Sequence, residues 1–180
     1  MNYIFSAIFL YFFLGFLLYI FQRRIVFNKS GHPGAPKDYN LDNTEEVYIK
    51  TEDNLKLLSW YHKGNNSLPL IVYFHGNSFH IGDRAYRIQR YIEKNWSVLL
   101  VSWRGFGGNE GNPTEKNLYK DAEAVLKWIK NNTEFKFKEL VIYGESLGSG
   151  AAVEMGTKYE FLSIVLDCLL YTSDAADETG

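Results

Sequence analysis

The residues best suited to do chemistry are Gly144-Glu145-Ser146-Leu147-Gly148, a G-x-S-x-G run. A serine hydroxyl is a weak nucleophile unless something activates it. This pattern supplies part of what it needs. A strand ending in a tight turn lifts the hydroxyl off a sheet edge, the glycines leave room for the turn, and a helix begins at once. The helix N-terminus then favours negative charge that develops beside it. The chemistry implied is attack on an acyl carbonyl, with Ser146 as nucleophile and the Leu147 backbone N–H as one donor to the oxyanion. The bare pattern arises by chance in roughly one chain of this length in twenty, so its weight comes from context. Residues 140–143 read as a strand and residues 147–158 as a helix, the switch that the motif requires. On the residues alone, the alternative is a Gly-rich helix start packed closely on a sheet.

A second oxyanion donor is expected from Asn77. His75-Gly76-Asn77 follows the apolar run at 70–74, and a loop placed after such a strand can present its backbone N–H to the same oxygen. Gly76 would let that backbone come close. The alternative is an ordinary strand-ending turn. His75 itself is read as structural. It precedes Ser146, as do His32, His62 and His80, whereas the base paired with a serine of this kind follows it in chain order. His62, His75, His80 and the single Cys168 do not have metal-ligand spacing, so neither a metal nor an organic cofactor is expected. One cysteine also allows no internal disulfide.

The elements that must position these residues are legible as runs and periods. Residues 70–74 (LIVYF), 97–101 and 140–143 are continuous apolar stretches, as expected of strands buried on both faces of a parallel sheet. Residues 47–50 and 56–62 flank the turn Glu52-Asp53-Asn54 and suggest an antiparallel hairpin. Helices are expected over 84–94, over 117–130 with Leu118, Ala122, Val125, Leu126 and Ile129 on one face and Thr114 as cap, and over 146–158. A further strand begins at Ile164. Regular alternation of strand and helix predicts an α/β fold, a mostly parallel sheet with helices on both faces. A net charge of -2 gives no electrostatic reason to expect nucleic acid.

Residues 4–21 carry no charge and would span about 27 Å as a helix, near the thickness of a bilayer core. The start Met1-Asn2-Tyr3 lacks the basic side chain of a signal peptide, and Gln22-Arg23-Arg24 follows the run. The reading is an uncleaved membrane anchor with the rest of the chain on the cytoplasmic side, by the positive-inside rule. A cleaved signal peptide and a buried core helix are the alternatives.

Four features occur in order: the anchor with its basic pair, Tyr73-Phe74-His75-Gly76-Asn77, Trp103-Arg104-Gly105-Phe106-Gly107-Gly108-Asn109-Glu110-Gly111, and Gly144-Glu145-Ser146-Leu147-Gly148-Ser149-Gly150. Together they resemble the BEM46-like branch of the α/β-hydrolases, related to the serine aminopeptidase S33 type. The resemblance implies an α/β-hydrolase fold, Ser146 as nucleophile, Asn77 and Leu147 as oxyanion donors, and a structural role for the Arg104 loop. It also implies a small-molecule or acyl-protein substrate bearing an ester, thioester or amide. A non-catalytic binding protein of the same fold and a membrane scaffold are the rival readings.

The triad acid and base that this resemblance implies are missing from the chain. Asp167 comes one strand too early for the acid. The run from Cys168 to Glu178 is what TGT CTC TTA TAC ACA TCT GAC GCT GCC GAC GAR encodes, and it resembles a transposase adapter of sequencing libraries. A natural Leu-Tyr-Thr-Ser segment is the alternative. The expected organisation is therefore a membrane anchor at 1–24, a linker at 25–46, a C-terminally truncated α/β-hydrolase domain at 47–167 and adapter read-through at 168–180.

Overall fold

The apolar runs lie side by side. Strand β3 (Leu70–Phe74) pairs in parallel with β4 (Ser97–Val101) on one side and with β5 (Leu140–Glu145) on the other. The structure is a computed structural model that describes residues 2–26 and 31–168. Strands β1 (Thr44–Lys50) and β2 (Lys56–His62) form the expected antiparallel hairpin, and β2 joins β4 antiparallel. With β6 (Ser163–Asp167) parallel to β5, the six-stranded order is β1-β2-β4-β3-β5-β6.

Alternation along β3 divides the core into two layers. Leu70, Val72 and Phe74 face one side, with Leu118, Val125 and Ile129 of α3 (Glu115–Asn132) and Ala151, Ala152 and Met155 of α4 (Leu147–Lys158). Ile71 and Tyr73 face the other, with Ala85 and Ile88 of α2 (Ala85–Ile92). A strand covered on both faces has no polar side to show, which is why the run is continuous rather than alternating. Thr114 caps α3 by accepting the Asn117 N–H at 3.2 Å. Fully burying one Leu- or Ile-sized side chain is worth about 1.5–3 kcal/mol, so the α3 stripe outweighs its cap several times over.

Helix α1 (Asn2–Val26) is long and apolar enough over Tyr3–Phe21 to cross a membrane, and no residue from 3 to 21 is buried. The side chains of the basic pair after it, and the segment from 169 onward, lie outside the described residues. The Gly/Pro-rich stretch that follows contains a short 3-10 helix, Pro36–Tyr39, and seats Leu41 in the second core layer at 1% exposure.

Candidate active site

The chain turns sharply at Ser146, between the end of β5 and the start of α4. Its backbone has φ 48° and ψ −110°, a conformation that costs a non-glycine residue of order 1–3 kcal/mol. Hydrogen bonds hold it there. The Ser146 N–H donates to the Asp167 carbonyl at 2.8 Å, and the Ser149 N–H donates to the Ser146 carbonyl at 2.9 Å. The flanking glycines are required by close approach. A Cβ on Gly148 would overlap the Phe74 carbonyl, and one on Gly144 would lie 2.7 Å from Ser149 Cα. The helix therefore starts hard against β3 and β5, and Ser146 is left half-buried at the strand ends.

The loop after β3 closes the other side. A Cβ on Gly76 would lie 3.3 Å from Ser146 Cβ, so the His75-Gly76-Asn77 backbone runs directly past the serine. Asn77 is half-buried there. Leu147 opens α4, and its N–H is among the first four of the helix, which have no partner within it. The structure thus brings Ser146, Leu147 and the Asn77 loop to one place.

His75 is fully buried and occupied. Its Nδ1–H donates to the Gly76 carbonyl at 2.7 Å, its Nε2 lies 3.4 Å from the Trp103 N–H, and the Trp103 indole donates to its carbonyl at 2.8 Å. Burial, with the Arg84 cation adding to it, depresses its pKa to about 4. The ring is neutral at pH 7 and braces the loop, in keeping with a structural role. His62 bonds Thr44 at the far end of β2, His32 sits against Gly108, and His80 Nδ1 lies 3.3 Å from Asp83. The Arg104 loop is likewise a brace. Arg104 makes hydrogen bonds of 2.8 and 2.6 Å to fully buried Asp121 and reaches Asp53 of the hairpin turn at 2.7 Å.

Sequence reasoning did not find the polar cluster beneath the turn. Arg84 binds Glu145 through two nitrogens, at 3.0 and 3.2 Å, and also donates to the Ser78 carbonyl at 2.7 Å. Tyr73 donates to Glu145 at 2.8 Å and stacks on Tyr143, which donates to Asp167 at 2.9 Å. Arg87 completes the cluster at 2.6 Å from Asp167. Burial pushes the Glu145 carboxyl up, but Arg84 and Tyr73 pull it down further, so it titrates below its ordinary range. The available signal was Tyr73 and Tyr143, polar-tipped residues late in two apolar strands and directly paired in register.

A mostly parallel sheet covered on both faces, with a strained serine at a strand-to-helix turn, defines the α/β-hydrolase class. A family model described as serine aminopeptidase, S33, matches residues 66–166, and the chain belongs to that family. It is 30% identical over 156 residues to the protein bem46 of Schizosaccharomyces pombe, covering 81% of this chain and 51% of that one. It is also 30% identical over 151 residues to the uncharacterized membrane protein YNL320W of Saccharomyces cerevisiae, covering 81% and 53%. Among solved structures, an esterase of Pyrococcus furiosus, Pf2001, superposes with a TM-score of 0.66 at 25% identity, covering 79% of this chain and 57% of that one. The chain spans about half the length of the curated relatives it matches.

Proposed function

We propose that the whole protein is a serine hydrolase acting on an ester, thioester or amide acyl group. Ser146 Oγ attacks the acyl carbonyl, and the backbone N–H groups of Asn77 and Leu147 receive the oxyanion. A histidine and an acidic residue outside this chain take the serine proton and orient the base. The carbonyl carbon gains the serine oxygen and loses its leaving group, and water then releases the acid. The observation that carries this reading is Ser146 at φ 48°, held at the start of α4 with the Gly76 backbone against it. Glycines that admit no side chain on the inner side of the turn support it, as does the esterase likeness of Pf2001. Helix α1 is read as a single-pass anchor that leaves the hydrolase part in the cytoplasm. Its length, and the yeast relative named as a membrane protein, support that reading.

A fluorophosphonate probe tests it. The whole protein is expected to be labelled, and Ser146→Ala is expected to abolish both labelling and turnover of a p-nitrophenyl ester. Labelling that persists in Ser146→Ala would overturn the assignment. Protease accessibility from the cytoplasmic side checks the orientation, and protection there reverses it.

A further inference from the structure

Two exposed aromatic rings lie just beyond Asn77. Phe79 is 49% exposed, and its backbone has φ 58°, a conformation in which a bulky residue is a true outlier. Tyr86, in the first turn of α2, is 60% exposed, with the Arg87 guanidinium 5.8 Å from its ring centroid. Holding an apolar ring in water at a strained backbone position costs free energy twice. A partner that covers the ring recovers the cost of exposing it.

The chain itself indicates the partner. Gly31 lies against His80, the residue after Phe79. A Cβ on Gly31 would be 3.0 Å from His80 Cδ2. Pro33 and His32 then pass Gly107 and Gly108 in the loop after β4. Helix α1 ends at Val26, five residues before Gly31. Five residues reach at most about 18 Å, whatever their conformation. Residues 22–26 rise about 7.5 Å as helix, close to the depth of one interfacial layer outside the hydrocarbon core. A membrane-spanning α1 therefore keeps Gly31, and with it the loop that it touches, within about 18 Å of the helix end at Val26. Tyrosine is suited to that layer, being apolar at one end and wet at the other, and phenylalanine buries its ring at the boundary between headgroups and acyl chains.

We infer that the segment from Ser78 to Tyr86 docks on the bilayer, with Phe79 and Tyr86 seated in the headgroup layer, so that Ser146 takes its acyl substrates from amphiphiles at the membrane surface. The inference rests on the reading of α1 as a membrane anchor. The test uses the whole protein with its other cysteines replaced by serine, to leave one thiol, and either Phe79→Cys or Tyr86→Cys carrying an environment-sensitive fluorophore. Lys130→Cys is the control. It lies in the last turn of α3, near the Asn66–Glu134 hydrogen bond at the other end of the sheet. Each protein is reconstituted into phosphatidylcholine vesicles with and without a headgroup-level nitroxide lipid. Blue-shifted, nitroxide-quenched emission is expected at 79 and 86, and neither effect at 130. A chain that floats with the vesicles while both labels report water overturns the docking and leaves the anchor intact. A blue shift without quenching means that protein covers the loop, which also overturns it. A chain that does not float overturns the anchor and the docking together. Having two labelled positions keeps the test decisive if one variant misfolds, as judged by circular dichroism.

Discussion

Arg84 Nη2 lies 3.0 Å from Glu145 Oε1, and Arg84 Nε lies 3.2 Å from Glu145 Oε2, so a two-point ion pair ties the start of α2 to the residue before Ser146. The same guanidinium holds the Ser78 carbonyl, one residue past Asn77. One side chain therefore sets the spacing between the two amides proposed to receive the oxyanion. Both partners are largely shielded, with side chains 9% and 14% exposed.

Arg84→Gln in the whole protein should therefore lower kcat more than it raises KM, because the amides are displaced only from where charge develops. Deleting an oxyanion donor outright costs about 10²–10³-fold. Displacing two should cost less, on the order of 10-fold. Arg84→Lys keeps the charge but loses the two-point geometry and should recover only part of the rate. Steady-state kinetics with a soluble ester decide this. An equal rise in KM with kcat unchanged would contradict a positioning role.

Strain at Ser146 makes a separate prediction. Ser146→Ala removes the hydroxyl but keeps φ near 48°, whereas Ser146→Gly also removes the conformational cost. Both should be inactive, and the glycine variant should be more stable than the alanine variant by about 1 kcal/mol. Gly148→Ala should go the other way. Its methyl would overlap the Phe74 carbonyl, and overpacking of that kind costs about 1–3 kcal/mol. Denaturant midpoints of the three proteins check the order.

His75 should make stability depend on pH. Its folded pKa of about 4 lies below the ordinary 6.5, so between those values the unfolded chain binds a proton that the folded one refuses. Stability is then fully present above pH 6.5 and falls as pH drops towards 4, by up to about 3 kcal/mol from this one group. His62 is shifted downward by burial too and adds to the same window. The depressed carboxylates Glu145 and Asp53 act lower, as pH falls below their ordinary values of 4.5 and 3.8. Replacing His75 with Gln should flatten the dependence between pH 6.5 and 4 while leaving the more acidic limb. A slope unchanged by His75→Gln and reduced by His62→Gln would reassign the effect.

Local signals were enough for the framework and half of the candidate site. Residues 70–74 and 97–101 have the bounds that the sequence predicts, because a short run of four or five apolar residues bounded by polar or turn residues suits a buried strand. Ser146 was legible because Gly144 and Gly148 mark where backbone meets backbone. Pro36–Tyr39 was not, since a Gly/Pro-rich stretch does not reveal that Leu41 will be buried. Nor was the Arg84–Glu145 pair. Its members are 61 positions apart, and Glu145 fills a motif position that places no demand on residue type. The order of β3 and β4 in the sheet, which brings Arg84 beneath the turn, follows from tertiary packing and has no local mark.

The outer edge of β6 yields the last prediction. Ile164, Val165 and Leu166 are 38%, 38% and 39% exposed, and Leu162 is 56% exposed. Among the described residues β6 has no strand on its outer side, and an apolar strand with such an edge is a template for pairing with another chain. Residues 31–180 expressed alone should therefore aggregate even without α1, whereas the whole protein without α1 should stay soluble. Val165→Lys in the short chain should slow aggregation by placing a charge on that edge without touching Ser146. Light scattering against time measures it. The short chain should also be inactive, because the base proposed for Ser146 lies outside it and the four histidines within it are tied to other partners or to the loops around them. Removing triad members from serine proteases still leaves about 10³–10⁴-fold catalysis over water from the rest of the site. A trace of ester hydrolysis at that level fits the proposal. Hydrolysis by the short chain at rates typical of enzymes, lost in Ser146→Ala, would mean that a base within residues 31–168 reaches the serine. His80, whose ring is less enclosed than that of His75, would then be the first residue to replace.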